Sequence, residues 1–244
     1  MGELIAVLSG KGGTGKTTVC AGVACGLALQ GQSVLAIDCD VGLRNLDIAL
    51  GISELGALSF QEVASGAYNL EMATRHPIYP TLRFLTAPAG CTASDIDQDS
   101  FREFLQQARS KFDYVLLDAP AGIEAGFDLA AKFADRIMLV TNQDPAAIRD
   151  AACAGQMLTA KGKDNIRLVV NRVSKKLITA LNLNIDDIMD KAGLPLLGIV
   201  PEDTNVVFAS TFRQPLLGYT SGGASAACRR IARRIRGLKV PVKL

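Results

Sequence analysis

The chain has 244 residues, 49% apolar, 20% charged and 5% aromatic, with no Trp, 23 Gly and a net charge of +2. This size supports one large domain or two small ones and buries roughly 70–75% of the unfolded surface, so folding needs no disulfide or structural metal. The composition excludes a fibrous, low-complexity or disordered chain.

Continuous apolar runs, rather than alternating ones, mark strands buried on both faces. In chain order they fall at 4–8, 34–37, 82–86, 114–117, 137–141, 166–170 and 197–200. Segments with helical spacing lie between or beyond them at 17–30, 59–65, 99–110, 127–134, 146–161, 184–191 and 224–236. This alternation predicts an α/β fold, a mostly parallel sheet flanked by helices on both faces. No Pro/Gly/Ser linker divides the chain, so residues 1–244 are expected to form one domain, with 69–81 and 88–98 as surface excursions. No basic stretch precedes the first strand, so no signal peptide is expected. Residues 17–37 carry no charge, but Thr, Gly, Gln and Ser interrupt them. They read as a buried helix and strand of a cytoplasmic protein rather than a membrane span. Six Cys form no C-x-x-C pair, and His76 is the single His. Zinc fingers, four-Cys ribbons and most His-dependent catalysis are thereby excluded, and the thiols are expected to be buried and reduced.

Directly after the first strand comes Gly10-Lys11-Gly12-Gly13-Thr14-Gly15-Lys16-Thr17-Thr18, the G-x-x-x-x-G-K-[ST] pattern in its strand–loop–helix setting. Glycines let successive backbone N–H groups close around a phosphate, and the following helix offers its positive end. Lys16 is placed to reach the β- and γ-phosphate oxygens, and the Thr17 hydroxyl to ligate Mg²⁺. A second lysine, Lys11, would crowd Lys16 if it pointed inward, so it is expected to point outward. It is then either a solvated charge or a group that serves a second subunit's nucleotide. Asp38 and Asp40 end the second strand, where parallel sheets place ligands, and one of them is a candidate to orient the attacking water. They are alternatively turn caps. Asp118 ends the strand 114–117 in the position of a Walker B carboxylate that holds Mg²⁺ through water. Asn171 ends the sixth strand and both donates and accepts hydrogen bonds; it is either a reader of an adenine edge or a turn residue. With no catalytic His and no Gln in an equivalent place, hydrolysis is expected to be slow without help.

The segment Lys11–Thr18 resembles the deviant Walker A loop of the MinD/ParA ATPases, whose extra lysine is Lys11 here. The blocks Asp40-Val41-Gly42-Leu43-Arg44-Asn45-Leu46-Asp47 and Asp118-Ala119-Pro120-Ala121-Gly122-Ile123-Glu124 are similar to the septum-site-determining branch of that family, and Pro201-Glu202-Asp203 also fits. Partition ATPases share the loop but match these blocks less well, and cluster-carrying relatives would need paired Cys. The resemblance implies an ATP-dependent homodimer with nucleotides sandwiched between subunits and Lys11 contacting the other subunit's phosphate. It assigns Lys16 to phosphate, Thr17 to Mg²⁺, Asp38 and Asp40 to switch I, and Asp118 with Gly122 to switch II. Arg44, Asn45 and Asp150 fall in regions resembling the partner-binding surface. Partners implied are a MinC-like inhibitor, a MinE-like or DivIVA-type topological factor, and the inner face of the cell membrane.

The net charge hides a segregation. Residues 224–244 hold seven basic and no acidic side chains, leaving 19 basic against 24 acidic in 1–223. In the helix 224–236, Ala224, Ala227, Cys228, Ile231 and Ile235 share one face and arginines occupy the rest. One reading packs the stripe on the domain and leaves the Arg face in solvent. In the other, the Arg face with Leu238, Val240, Val242 and Leu244 engages an anionic membrane, where each basic side chain contributes about 1 kcal/mol. DNA could use the same charges. Two alternatives therefore accompany the membrane-cycling ATPase: a partition-type ATPase on DNA, and a nucleotide-binding scaffold with little turnover.

Overall fold

The computed structural model describes residues 1–181 and 184–243. Among them the strands are β1 (Glu3–Leu8), β2 (Val34–Asp38), β3 (Thr74–Arg75), β4 (Leu82–Leu85), β5 (Tyr114–Asp118), β6 (Arg136–Thr141), β7 (Ile166–Val173) and β8 (Leu196–Pro201). The helices are α1 (Lys16–Ala28), α2 (Leu46–Leu50), α3 (Phe60–Ala64), α4 (Gln98–Lys111), α5 (Ala125–Phe133), α6 (Pro145–Ala160), α7 (Lys175–Leu181), α8 (Ile185–Ala192), α9 (Asn205–Thr211), α10 (Leu216–Tyr219) and α11 (Gly223–Ile235).

All strands lie in one sheet of order β3-β4-β2-β5-β1-β6-β7-β8. Its ladders are parallel except β3 with β4. The chain leaves β1 toward β2, returns to β5, and only then crosses to β6 on the other side of β1. The order therefore reverses at β1, and the crevice at the carboxyl ends there is where such sheets bind ligands. β1 shows why its sequence is apolar throughout: Ile5 and Val7 join the core on one face, Leu4, Ala6 and Leu8 the core on the other.

The seven strands expected from apolar runs are present. β3 arises inside the stretch 69–81 expected to be loop, and the short α2, α9 and α10 and the helix α7 were not expected either. Two to seven residues are too few to display a period. Cys20, Cys25, Cys39 and Cys228 are buried as expected, but Cys91 is half-buried and Cys153 exposed. The alanines around Cys153 imitate a core composition, while its own position falls on the outer face of α6.

α1 is buried along almost its whole length. One side faces the sheet, and α11 lies on the other. Gly22 is the reason for the close approach, since a Cβ there would come within 2.5 Å of Cys228 Sγ. The predicted stripe on α11 is buried in full, joined by Ser225 and Ala232. The stripe of α11 thus packs on the domain, and the two readings of the helix differ only in what the arginines and the tail face. Its arginines are exposed or half-buried, and Leu238 and Val242 in the tail are exposed. Leu244 lies outside the described residues.

His76 ties the end of α2 to the turn after β3. Its Nδ1 accepts from Ile78 N (3.1 Å) and Tyr79 N (3.3 Å). Its Nε2 must then carry the proton that it donates to Leu50 O, 2.9 Å away. Burial pushes the pKa down, opposed by the hydrogen bond to Leu50 O, and protonation would also cost Nδ1 both of its donors. The fold thus favours the neutral ring. Stability is complete above the unfolded value of about 6.5 and falls as pH drops below it. The melting temperature is expected to decline from pH 7 to 5.5, and less steeply in His76→Asn, which keeps an acceptor that does not titrate. Parallel profiles for the two proteins would overturn this.

Candidate functional site

The loop 10–15 leaves β1 at the crevice and feeds α1. Gly15 has φ 82°, a left-handed backbone that favours glycine. Space demands glycine as well, because a Cβ would lie 2.2 Å from Asn171 Nδ2. That amide donates to Thr14 O at 2.8 Å, so Asn171, buried two residues before the end of β7 rather than at the strand's end as expected, braces the loop from behind. This loop-bracing contact was anticipated by neither reading of Asn171, as base reader or as turn residue.

Lys16 is the first residue of α1 and is buried. Its Nζ donates to Asp118 Oδ1 at 2.7 Å, with Thr17 Oγ1 at 3.5 Å. Asp118 stands beside Val7 of β1 and Asp38 of β2 in the ladder registers. Parallel pairing thus brings side chains from three distant segments to one end of the sheet. Burial raises the Asp118 pKa, opposed by the Lys16 ammonium and the Thr17 hydroxyl. Asp38 is pushed up to about 7, first by burial and then by the Asp118 carboxylate. Two buried carboxylates against one ammonium leave up to one excess negative charge, which favours a cation there. Among the described residues no cluster of three or more His, Cys, Asp or Glu forms a cage. Mg²⁺ suits such a site, since it keeps waters and takes most of its remaining ligands from phosphate. Ser9 Oγ and Thr14 Oγ1 are buried without a partner, which also fits a polar ligand against the loop.

Asp38 and Asp40 organise the segment that follows β2. Asp38 accepts from Asp40 N (2.9 Å) and Leu46 N (3.0 Å), and Asp40 Oδ1 accepts from Gly42 N (3.2 Å) and Leu43 N (3.1 Å). The turn-cap geometry is thus the one observed for both. Arg44 and Asn45 are exposed at the tip, and Asp150 is half-buried on α6 with its carbonyl against Gly10. On the other side, Gly122 N donates to Ser9 O at 3.2 Å, holding the segment after β5 against β1.

Lys11 points away from Lys16, as expected. Its Nζ pairs with Asp144 Oδ2 at 3.0 Å, both side chains being more than 40% exposed. Asp144 was missed by sequence reasoning. Its role as the N-cap of α6 is readable from Asp-Pro, but 133 residues separate it from Lys11. Beside the loop opens a cleft of about 400 Å³, lined by Gly13, Asn171, Arg172, Pro201, Glu202 and Val207 among others. That volume suits a nucleoside.

A family model described as the CobQ/CobB/MinD/ParA nucleotide-binding domain matches residues 5–216. The chain is similar to the septum site-determining protein MinD of Bacillus subtilis, at 36% identity over 100% of this chain and 92% of that protein. The structure of a MinC:MinD complex from Aquifex aeolicus superposes with a TM-score of 0.91, at 33% identity over 99% of this chain and 98% of the other. MinD of Pyrococcus horikoshii complexed with Mg-ADP gives a TM-score of 0.81 at 27% identity, covering 96% of each chain.

Proposed function

The chain belongs to the CobQ/CobB/MinD/ParA nucleotide-binding family, among the septum-site-determining ATPases of the MinD type, and on that premise we propose that ATP pairs two copies across their nucleotides. The observation that carries this reading is the outward Lys11. One buried lysine, Lys16, already sits where a P-loop needs its phosphate charge. The second is held in an exposed ion pair, which is weak in water and readily exchanged. Leaving Asp144 for the phosphates of a facing copy would add a charge to the site only in the dimer.

Within each copy Lys16 would hold the β- and γ-phosphates, and the Thr17 hydroxyl, with Asp118 acting through water, would hold Mg²⁺. Bound Mg²⁺ supplies charge neutralisation at the transferred phosphoryl group. The loop 12–15 with Thr18 cradles phosphate, and Asn171 Oδ1 accepts from the base. Asp38 and Asp40 hold switch I, and the attacking water is oriented there. None of these side chains is a strong base, so turnover is slow until a partner completes the site. The Mg-ADP complex of a relative supports the cofactors, and the MinC:MinD complex supports a MinC-like partner. Arg44, Asn45 and Asp150 are proposed for the partner surface, which would also serve a MinE-like or DivIVA-type factor.

Among the described residues no helix is long and apolar enough to cross a membrane. The apolar stripe of α11 is consumed by packing, so any contact with a membrane falls to the arginines and the tail. Arg136 of β6 donates to Ile235 O and Arg236 to Gln30 Oε1. These contacts place the basic end at the amino ends of the strands, away from the nucleotide. It can therefore lie on an anionic bilayer while the nucleotide face pairs.

The test is mass in solution by light scattering, using Asp40→Ala to suppress hydrolysis. A monomer with ADP is expected to double in mass with ATP, and Lys11→Ala to stay monomeric while still binding nucleotide. A Lys11→Ala protein that dimerises normally would overturn the shared site. The ATP dimer is then expected to sediment with anionic vesicles at low salt. Retention by DNA instead would favour the partition-type reading.

A further inference from the structure

β7 carries an irregularity next to the nucleotide cleft. Its register with β8 runs Val170 to Ile199 and then Val173 to Pro201, three steps on one strand against two on the other. An opposite shift precedes it, Leu168 to Leu196 and then Val169 to Gly198, and local register shifts of this bulge kind re-aim side chains beside active sites. Asn171 and Arg172, within the shifted stretch, both line the same cleft, where regular alternation would send them to opposite faces. Asn171 braces the loop, and Arg172 reaches over the rim. Its guanidinium lies 3.4 Å from Gly13 O on the P-loop and 3.4 Å from Glu202 Oε1 beyond β8. Both side chains of the pair are more than half exposed, so neither is there to fill a core.

The backbone sharpens the point. Arg172 has φ 53°, within the left-handed region, where an L side chain is strained and glycine is the residue of least cost. An arginine at a position that favours glycine, exposed and reaching across a cleft, needs a reason other than stability. We infer that Arg172 and Glu202 form a strap over the nucleotide cleft that retains the bound nucleoside diphosphate. The inference rests on the nucleotide site proposed above and adds a residue to it. The forked guanidinium suits a bridge between two acceptors. A nucleotide entering or leaving between Gly13 and Glu202 has to break it.

The test is stopped-flow release of a fluorescently labelled ADP from the full chain, with thermal melts of the same proteins. Arg172→Gly removes the guanidinium and relieves the left-handed strain. It is expected to melt no lower than the wild type yet to release ADP about three- to tenfold faster. Glu202→Gln is expected to speed release similarly. The double variant should release no faster than the faster single one, because the strap is lost once. Wild-type release rates in Arg172→Gly, or multiplying effects in the double variant, would overturn the strap. A merely structural role for Arg172 would move the melt and leave release untouched. Failure of the wild-type chain to bind labelled ADP would instead sink the nucleotide site itself.

Discussion

Lys16→Ala is expected to abolish nucleotide binding, weakening affinity for ATP and ADP by at least about 100-fold, the equivalent of about 3 kcal/mol. The lysine is buried with its ammonium 2.7 Å from Asp118, so removing it has a second consequence. Asp118 is left buried without its cation, and breaking such a pair costs about 3–5 kcal/mol. Protonation offers Asp118 partial relief, since burial already raises its pKa, so the loss should fall near the lower figure. Both effects are measurable on one protein, by fluorescence titration with labelled ADP and by urea unfolding. The contrast is Lys11→Ala, whose partner Asp144 is exposed and whose loss should leave the unfolding curve unchanged. If Lys16→Ala bound nucleotide within a few-fold of the wild type, the loop would not be the phosphate site.

Gly22→Leu is expected to be the most damaging single change outside the nucleotide site. In an isolated helix, replacing Gly by a good helix former gains about 1 kcal/mol. Here the sign reverses. Even a methyl at Gly22 would stand 2.5 Å from Cys228 Sγ and 3.0 Å from its Cβ, closer than atoms can pack. A leucine would have to push α11 off α1, a loss of about 3 kcal/mol or more. Gly26 makes a similar contact, 2.9 Å from Ala232 Cβ, so α11 cannot simply slide along to escape. The displacement should also reach the nucleotide cleft. Asp203 Oδ2 accepts from Ala224 N at 2.9 Å, and its Oδ1 holds Asn205. The cleft beside the loop and the start of α11 therefore share one anchor. Urea unfolding should show the stability loss, and ADP titration of the folded fraction a weaker affinity. Wild-type stability in Gly22→Leu would mean that the two helices do not pack as described. Gly22→Ala combined with Cys228→Gly should be less unstable than the sum of the single changes, because the contact is removed from both sides.

The nucleotide loop was legible in the sequence because its chemistry is local. The residues expected to bind phosphate and Mg²⁺ there are consecutive, Gly12–Thr18, on a loop between a strand and a helix. The apolar runs were legible for a similar reason. A strand buried on both faces has to be apolar at every position, and Ile5 and Leu4 enter opposite cores. The stripe on α11 was readable from its spacing, but not what would cover it. That cover is α1, seated by Gly22 and Gly26 some two hundred residues earlier, and it leaves only the arginines and the tail to meet a membrane. In the sequence these glycines only weakened the case for a membrane span; in the fold they form the seat for α11.

What the sequence determined by itself was every feature carried by neighbours along the chain: the P-loop, the strand and helix pattern, the acidic residues closing β2 and β5, and the segregation of charge to the carboxyl end. Tertiary structure alone decided which distant groups meet. It set Asp118 against Lys16, Asp144 against Lys11, Asn171 behind Thr14 and Arg172 across from Glu202. Those pairings follow from strand order and from local register shifts in β7, and neither leaves a periodic trace in the sequence. Spacing along a chain encodes which face a side chain takes, whereas the partner on that face is fixed by contacts that close only when the sheet assembles.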